Sequence, residues 1–444
     1  MWGGGAAGRG LLAALCGVVA LGLLAAAGPV EARARTDGQE DGAAAYRTDP
    51  EAQPVRGGTS SDQGPPLVPG GTYTDRIGKG EKKFYRVRLD DVSDAYASAV
   101  LAPPPRSEID FSDGIRISLQ SRDGAHCGLS NDVTFSGGSA RPIGDYVSRL
   151  IGRGRACQGT GDYVYAVEWI GPGPGGPGPE GWPIELRVVA EPGLKPGAAV
   201  PPAPSTWSTQ VPRRTPARAE IVQGGTGFND AATVDSGAWH DELSPGESRF
   251  YRVPVTWGQQ LFVDAEFAEP RERRVFVPGG GMRVALFNTA RGFVRSAEAK
   301  YTGKPTAIAF GTAPAAYGNR REAADAAAGA MRFSGWYYVR VSLDATAQNP
   351  VPVTLHLTVA GDPQPGPDYD GDPQASGLGA PGDGRAADGA MGSPLLMRSL
   401  AVAGIGTGTA LLLFLAVWAA AARRRAARGD ASAGVRAGGP PCPP

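Results

Sequence analysis

The chain of 444 residues has few of the side chains that usually carry enzyme chemistry. It contains three histidines, His126, His240 and His356. A serine hydrolase needs a histidine base beside an exposed serine, and no Gly-x-Ser-x-Gly turn is present. The sequence also has no His-Glu-x-x-His motif, no paired Cys-x-x-Cys motifs and no phosphate-binding glycine loop. We therefore expect no enzymatic activity, no catalytic residues, no metal ligands and no cofactor.

An excess of charge of either sign is also missing. The chain has 44 basic and 44 acidic side chains. A balanced chain creates no overall field that would attract nucleic acid or an acidic polymer. The sequence therefore predicts no nucleic-acid partner.

Long uncharged apolar runs are confined to the two ends of the chain. Near the start, Arg9 precedes a run that ends at Ala27, and an Ala-x-Ala motif follows at 32–34. A basic start, an apolar middle and a small-residue exit are typical of a secretory signal, so we predict a signal peptide over residues 1–34. Cleavage after Ala27 is the alternative.

The second apolar run, residues 399–422, is followed at once by three arginines at 423–425. About twenty helical residues cross a hydrocarbon core, and an excess of basic residues marks the cytoplasmic end. The sequence predicts a transmembrane helix at 395–422 and a basic cytoplasmic tail at 423–444. The expected location is the cell membrane, crossed once, with the N-terminal body outside.

Cysteine is scarce, with four residues in the chain. Cys16 falls in the predicted signal, and a lipoprotein would need a small residue where Leu15 stands. Cys442 falls in the predicted cytoplasmic tail. Cys127 and Cys157 are then the two cysteines of the exported body, where an oxidising exterior favours a disulfide between them. A metal pair is the alternative, but no further cysteine lies nearby.

Glycine and proline, 66 and 40 residues, are concentrated in particular segments between regions dense in apolar residues. Such segments do not bury a core and predict linkers. The heavy use of alanine, glycine, proline and arginine is typical of actinobacterial proteins. We predict a disordered linker (35–69), a first β-sandwich (70–192), a linker (193–219), a second β-sandwich (220–361) and a Pro/Gly-rich stalk (362–394).

The two predicted sandwiches share a repeated sequence. Residues 80–87 return as 246–253, with six of eight residues identical. Two later elements recur in the same order, with offsets of 167 and 174 residues in place of 166: 114–119 with 281–286, and 161–167 with 335–341. What repeats is a set of alternating, strand-like packing positions, so the sequence predicts a duplicated module.

Short alternating strands punctuated by glycine and proline predict a mainly β fold: two tandem antiparallel, jelly-roll-like β-sandwiches followed by the transmembrane helix. Two short helices are expected, one near 144–151 and one near 320–331, where alanine dominates.

The pattern Gly-Glu-x-x-Phe-Tyr-Arg-Val, followed by a late Gly-x-Tyr strand, resembles the bacterial pre-peptidase C-terminal domains. The likeness extends over residues 70–190 and more loosely over 220–360. The first module is also similar to the membrane-proximal region of actinobacterial surface proteins that carry a von Willebrand factor A domain. The resemblance implies secreted β-sandwiches that accompany exported enzymes. No von Willebrand A domain precedes the module here, and 91–94 lacks the Asp-x-Ser-x-Ser metal pattern, so no adhesion site is implied.

Three polar segments each have two interpretations. His240 lies beside two acidic residues, which fits either acid–base chemistry or a solvated turn. Segment 368–372 is similar to the start of a calcium loop, but Gly379 stands at the twelfth position, which favours a solvated acidic stalk. Asp110 and Asp113 fit either a calcium site at a sandwich edge or a hydrated loop.

These features predict a non-enzymatic binding or scaffolding protein of the cell surface, with an extracytoplasmic protein partner or a cell-wall glycan as its ligand. The alternatives are an accessory subunit of an envelope protease or secretion complex, which predicts an exposed apolar patch, and a glycan-binding protein. The latter predicts an exposed aromatic platform drawn from Trp169, Trp182, Trp239, Trp257, Trp336 and Tyr337.

Overall fold

The first ten strands pair into two sheets that form one β-sandwich. These strands are β1 (Gln53–Pro54), β2 (Pro66–Leu67), β3 (Thr72–Ile77), β4 (Lys82–Leu89), β5 (Asp94–Leu101), β6 (Gly114–Ser121), β7 (Asn131–Thr134), β8 (Ile143–Arg149), β9 (Gly161–Ile170) and β10 (Trp182–Glu191).

A second set of ten strands forms the second sandwich. They are β11 (Glu220–Ile221), β12 (Ala232–Thr233), β13 (Gly237–Leu243), β14 (Ser248–Val255), β15 (Gln260–Phe267), β16 (Gly281–Phe287), β17 (Phe293–Lys300), β18 (Thr306–Gly311), β19 (Gly335–Leu343) and β20 (Val351–Ala360). Two short helices, α1 (Asn319–Glu322) and α2 (Ala326–Ala330), lie between β18 and β19, and a 3₁₀ turn spans Pro373–Ser376.

This computed structural model describes residues 43–152, 156–172, 176–214, 218–270 and 281–379, and these residues belong to one compact unit. The predicted signal peptide (1–34), transmembrane helix (395–422) and basic tail (423–444) lie outside these residues. Within the described ranges, no helix is long and apolar enough to cross a membrane.

The strands form four five-stranded sheets with the same topology in both sandwiches. Sheet I has the order β2-β4-β9-β6-β7 and sheet II the order β1-β3-β10-β5-β8; their counterparts are sheet III, β12-β14-β19-β16-β17, and sheet IV, β11-β13-β20-β15-β18. The long strands pair antiparallel, as predicted. The two-residue edge strands β1, β2, β11 and β12 instead pair parallel with their neighbours. The duplication seen in the sequence is therefore a duplication of a complete ten-stranded topology.

Each sandwich buries one face of every long strand in its own core. On β4 the inward residues are Tyr85, Val87 and Leu89, as the alternation predicts, and all three are buried. On β14 the corresponding residues Tyr251 and Val253 occupy the core of the second sandwich. A strand of period two exposes its other face, which leaves four outer sheet faces to be covered or solvated.

The predicted helix near 144–151 is wrong, because residues 144–149 belong to strand β8. All seven residues of β8 pair with β5, from Ala95 opposite Arg149 to Leu101 opposite Ile143. The apolar side chains of β8 serve two surfaces: Val147 lies in the sandwich core and Tyr146 packs outside it. The predicted helix near 320–331 is confirmed as the pair α1 and α2.

Cys127 and Cys157 form the predicted disulfide, with their Cα atoms 5.2 Å apart. Cys127 lies in the connection from β6 to β7 and Cys157 in the connection from β8 to β9. Cys157 is also buried against the first core. The bridge therefore ties two connections together at one end of the first sandwich.

The two sandwiches stack face to face, with the outer face of sheet II on the outer face of sheet III. An apolar cluster joins Val100 of β5 to Phe250, Phe287 and Tyr338 of the second sandwich. Because both of its faces are covered, every residue of β5 is buried. At one contact, Gly292 is required: a Cβ there would lie 1.8 Å from the ring of Tyr146.

The same face differs between the two copies. Sheet III presents apolar residues to the junction, whereas the equivalent outer face of sheet I carries ion pairs such as Lys82–Glu168 and Arg116–Asp132. The side chains of both pairs are partly exposed. Divergence after duplication has thus made one copy of this face a solvated surface and the other an interface.

Parts of the three predicted linker segments lie against the sandwiches. Segment 43–69 contributes β1 and β2. In segment 193–219, the Ser208 carbonyl accepts a hydrogen bond from Gln260 Nε2 at 2.9 Å. In segment 362–394, the described part includes the buried Leu378, which packs with Phe333.

Candidate functional site: a cleft between the two sandwiches

The most repeated motif of the sequence has a structural role. In the first copy the Tyr85 hydroxyl donates to Asp75 Oδ2 at 2.8 Å, and in the second Tyr251 donates to Asp241 Oδ2 at 2.7 Å. The same two carboxylates accept backbone N–H groups from the edge segment: Asp75 Oδ2 from Gly57 and Asp241 Oδ2 from Gly224.

The glutamate of the motif also repeats its contact. Glu81 accepts the N–H of Gly78 at 2.7 Å, and Glu247 accepts the N–H of Ser244 at 2.9 Å. In both copies this bond closes the turn that leads into the motif strand. The motif thus fastens a turn and an edge segment to the sandwich.

The structure does not assemble a catalytic site around the three histidines. His240 Nδ1 lies 3.4 Å from the Thr354 hydroxyl, and its neighbour Asp241 is occupied by Tyr251. His126 is exposed and contacts Gln120. His356 is half-buried, 4.0 Å from Glu266. Across the described ranges, no serine or cysteine bonds to these imidazoles.

The two calcium candidates do not form clusters of ligands either. Asp113 is fully buried and its Oδ2 accepts the backbone N–H of Asp110 at 2.8 Å. Asp368 pairs with Lys195 at 2.7 Å, and Tyr369 between the acids is turned into the junction, where its hydroxyl donates to Glu191. Among the residues described, no group of three His, Cys, Asp or Glu side chains could hold a metal ion.

The aromatic residues considered as a sugar platform are not exposed. Trp169, Trp182 and Tyr337 are buried in the two cores. Trp336 is partly buried, with the guanidinium of Arg252 4.7 Å from its ring centre. The remaining two, Trp239 and Trp257, are half-buried.

A cavity lies at one edge of the stack, and residues of both sandwiches line it. Its volume is about 900 Å³. The first sandwich contributes Phe111 and the loop between β7 and β8, residues 136–141; the second contributes the ends of β14, β16, β17 and β19. Neither sandwich alone encloses this space.

The loop between β7 and β8 contains a left-handed glycine and bonds to the second sandwich. Gly138 has φ of 77°, a left-handed conformation that favours glycine, and a Cβ there would lie 3.4 Å from both Arg141 Nη1 and Asp344 Oδ2. The loop is attached to the second sandwich, because Ser139 Oγ accepts the N–H of Ala345 at 2.8 Å. The cleft wall is therefore held from both sides.

The cleft carries an excess of positive charge. Three cationic side chains, Arg141, Arg283 and Lys300, line it together with two carboxylates, Glu298 and Asp344. Arg283 pairs with Glu298.

Arg340 adds a further cation behind the wall, donating from Nη1 to the carbonyl of Pro142. Burial, and next the charge of Arg283, lower the pKa of Arg141 to about 10. Burial lowers the pKa of Arg340 well below its usual value, with the charges of Arg141 and Arg283 as further causes. The carboxylates of Glu298 and Asp344 offset part of this lowering at Arg141, whereas the causes at Arg340 are burial and the two neighbouring arginines.

No protein-family model matches the sequence, and no curated protein matches it. Among solved structures, the chain is similar to the pre-peptidase C-terminal domain of the collagenase from Bacillus anthracis, with 14% identity and a TM-score of 0.17 over 28% of this chain and 94% of that one. It is similar to the CUB1-EGF-CUB2 segment of human MASP-1/3, with 7% identity and a TM-score of 0.17 over 65% and 99% of the two chains. A third is the tandem CBM22 domain of Xyn10C from Paenibacillus barcinonensis, with 11% identity and a TM-score of 0.17 over 65% and 86%.

These low identities and TM-scores carry no functional information for this chain. The von Willebrand factor A context and the actinobacterial origin find no support in these comparisons and stay predictions. The pre-peptidase C-terminal resemblance holds at the level of a β-sandwich likeness.

The sequence alone did not identify the arginines of the cleft, although a comparison of the two copies contains a signal. At the offset of 174 residues, Arg340 stands where the first copy has Ala166. Burial of an arginine in place of an alanine on the outer face of a central strand costs free energy unless an anionic group compensates its charge. Arg283, in contrast, repeats Arg116, and each pairs with the acid opposite it on the neighbouring strand. No local pattern singles out Arg141.

Proposed function

We propose that the protein is a non-enzymatic, membrane-anchored binding or scaffolding protein of the cell surface, and that its two β-sandwiches act together as one rigid binding unit. The observation that carries this proposal is the cleft of about 900 Å³ whose lining comes from both sandwiches. A pocket at a domain junction with a few convergent polar groups is the usual form of a ligand site.

Rigidity of the junction supports a binding role. Arg320 of α1 reaches across the junction to Glu191 and Asp94, at 2.7 and 3.0 Å, and the side chains of Arg320 and Glu191 are fully buried. Arg291 reaches across in the same way to Glu185. A fixed junction keeps the cleft in its binding shape, so less conformational entropy is lost when a ligand binds.

A non-enzymatic role is supported by the surroundings of the candidate groups. The repeated Asp, Tyr and Glu residues bond to one another and to the backbone, as described above. Among the described residues that line the cleft are basic side chains, hydroxyl groups and carboxylates, and none of these residues is a histidine or a cysteine.

The membrane anchor in this proposal is supported by the sequence, through the apolar run 399–422 and the arginines that follow it. Fractionation of cells tests it directly. The full-length protein should remain with membranes after alkaline washing, and a variant truncated after residue 394 should be released. Added protease should digest the body in intact cells. Release of the full-length protein by washing would contradict anchoring.

Site-directed crosslinking tests the binding role. A photoreactive amino acid replaces Phe111, which is exposed at the cleft, in the tagged full-length protein in native membranes. The control carries the same group at Leu129, in the exposed connection at the opposite end of β7. We expect crosslinked material from position 111 that is absent from position 129, identified by mass spectrometry of protein and of wall fragments.

Each outcome assigns one role. A defined envelope protease or secretion component crosslinked at position 111 supports the accessory-subunit form of the proposal. Wall fragments there support the glycan form, although the buried and half-buried tryptophans provide no exposed platform for it. Identical material from both positions would contradict a binding role for the cleft.

A further inference from the structure

The buried arginines of the junction fall into two groups. Arg291 and Arg320 are each paired with carboxylates of sheet II, so their charges are compensated within the fold. Arg141 and Arg340 donate to backbone carbonyls, and no carboxylate in the described ranges forms an ion pair with either. A buried guanidinium that forms no ion pair is costly, and an anion bound beside it would offset that cost.

Arg141 is the member of this pair that reaches the cleft. Its side chain is buried, with the residue 7% exposed, and it lines the cavity. Its Nη1 donates to the carbonyls of Gly137 and Ser139 at 2.9 and 3.0 Å, and its Nη2 donates to that of Phe135. Its Nε is buried and has no hydrogen-bond partner.

The loop holds the guanidinium in place through neutral carbonyls and leaves Nε–H unused. A guanidinium has five N–H donors arranged in a fixed plane. Three bonds are made to the loop, so donors remain for a ligand. Arg340 has the same feature, a buried Nε without a partner, and its Nη1 bonds to the residue that follows Arg141.

We infer that the cleft binds an oxyanion group, a carboxylate or a phosphate, with Arg141 as the contacting residue and Arg340 as a positioning residue that adds positive potential behind it. This inference rests on the proposed binding function and names the chemistry of the ligand. Two parallel N–H groups of a guanidinium fork can bond to two oxygens of a carboxylate or of a phosphate. Hydroxyl groups nearby suit a ligand that carries further hydroxyls: Ser136, Ser139, Ser248, Ser342, Thr302 and Thr346 line the same cavity.

Titration calorimetry with pairs of small probes tests the charge requirement. The probes are glucuronate with glucose as its neutral counterpart, and glycerol 1-phosphate with glycerol, each added to the purified full-length protein at constant ionic strength. We expect saturable binding of at least one anion and none of the neutral counterparts. The anion that binds more tightly distinguishes a carboxylate from a phosphate ligand.

Three variants assign the effect to residues. Arg141→Gln should weaken binding of the preferred anion at least about tenfold, since it removes a charged hydrogen bond. Arg141→Lys keeps the charge, so the fold should be retained, but it removes the fork and should still weaken binding. Arg116→Gln, at the repeat-equivalent position of Arg283 on the outer face of sheet I, should bind as the wild type does.

The Arg340→Met variant distinguishes a role in anion binding from a purely structural role. It removes an uncompensated buried charge while retaining an apolar side chain over the Phe287 ring. The free protein should therefore melt no lower than the wild type, while the rise in melting temperature caused by the anion should be reduced. A lower melting temperature together with an unchanged anion effect would overturn the role of Arg340.

Equal binding of anions and neutral counterparts, absence of saturable binding by both anions, or unchanged affinity in both Arg141 variants would overturn the inference. These results are separate from the crosslinking test. A ligand crosslinked at position 111 without anion binding leaves the proposed function standing and removes the oxyanion assignment.

Discussion

Replacement of Arg320 by methionine tests whether the junction between the sandwiches is held by buried charge. The guanidinium is fully buried and makes two bonds to Glu191, at 2.7 and 2.8 Å, and one to Asp94, at 3.0 Å. Removing it leaves two carboxylates buried without their counter-charge. The loss of one partner of a buried ion pair costs about 3–5 kcal/mol of unfolding free energy, and we expect Arg320→Met to lose that amount.

The expected loss can be measured by urea denaturation of the purified protein, followed by tryptophan fluorescence, since Trp169 and Trp182 lie in the first core and Trp239 packs against the second. Lys82→Met is the matched control. Lys82 also pairs with a glutamate, Glu168 at 3.0 Å, but their side chains are 42% and 32% exposed. An exposed pair contributes about 0–1 kcal/mol, so this control should unfold nearly as the wild type does.

A second substitution separates lost charge compensation from lost packing. Adding Glu191→Gln to Arg320→Met removes one of the two buried carboxylates that lost their counter-charge. The double variant should therefore be more stable than Arg320→Met alone. An Arg320→Met variant that costs no more unfolding free energy than Lys82→Met would show that buried charge does not hold the junction. A double variant that is less stable than Arg320→Met alone would also contradict this explanation, because the lost unfolding free energy would then come from contacts other than charge.

Three further predictions concern the first sandwich and the repeated motif. Burial raises the pKa of Asp145 to about 6 from 3.8, so the folded state holds this proton more tightly than the unfolded chain. Unfolding free energy should therefore fall as pH rises from about 4 to 6, by on the order of 3 kcal/mol, and Asp145→Asn should flatten that part of a pH series of melts. Reduction of the Cys127–Cys157 disulfide should lower the unfolding free energy by about 3–4 kcal/mol, measured by denaturation with and without reductant; no change would mean that the bridge constrains little. Tyr85→Phe and Tyr251→Phe should each cost about 1.5–3 kcal/mol, since each removes a bond to a carboxylate, and unequal costs would show that the two copies use the motif differently.

The fold could largely be predicted from the sequence, because its signals are local. Alternation along β4 correctly separated Tyr85, Val87 and Leu89, which enter the core, from their neighbours. The prediction of a helix at 144–151 failed for a physical reason. Strand β8 has apolar residues on both of its faces, since Val147 serves the core and Tyr146 the junction, and such a pattern does not show period two.

The candidate site was harder to predict, because its residues come from distant parts of the chain. Arg141 lies in a short loop of the first module, whereas Arg340 lies on a central strand of the second. Nothing within a few residues of either shows that they meet. The bond from Arg340 to the Pro142 carbonyl joins residues 198 positions apart, and it exists only because sheet II packs on sheet III.

The duplication, the β-sandwich class and the disulfide could be read from the sequence, since each depends on residue spacing, on the two-residue period of strands or on the small number of cysteines between the two terminal apolar runs. The tertiary structure decided which outer faces are buried, which charges are compensated and where a cleft forms. The reason is that an outer strand face is chemically ambiguous in the sequence. Glu191 on β10 and Glu168 on β9 are both acidic residues at outer-face positions, yet one is fully buried by the other sandwich and the other meets solvent.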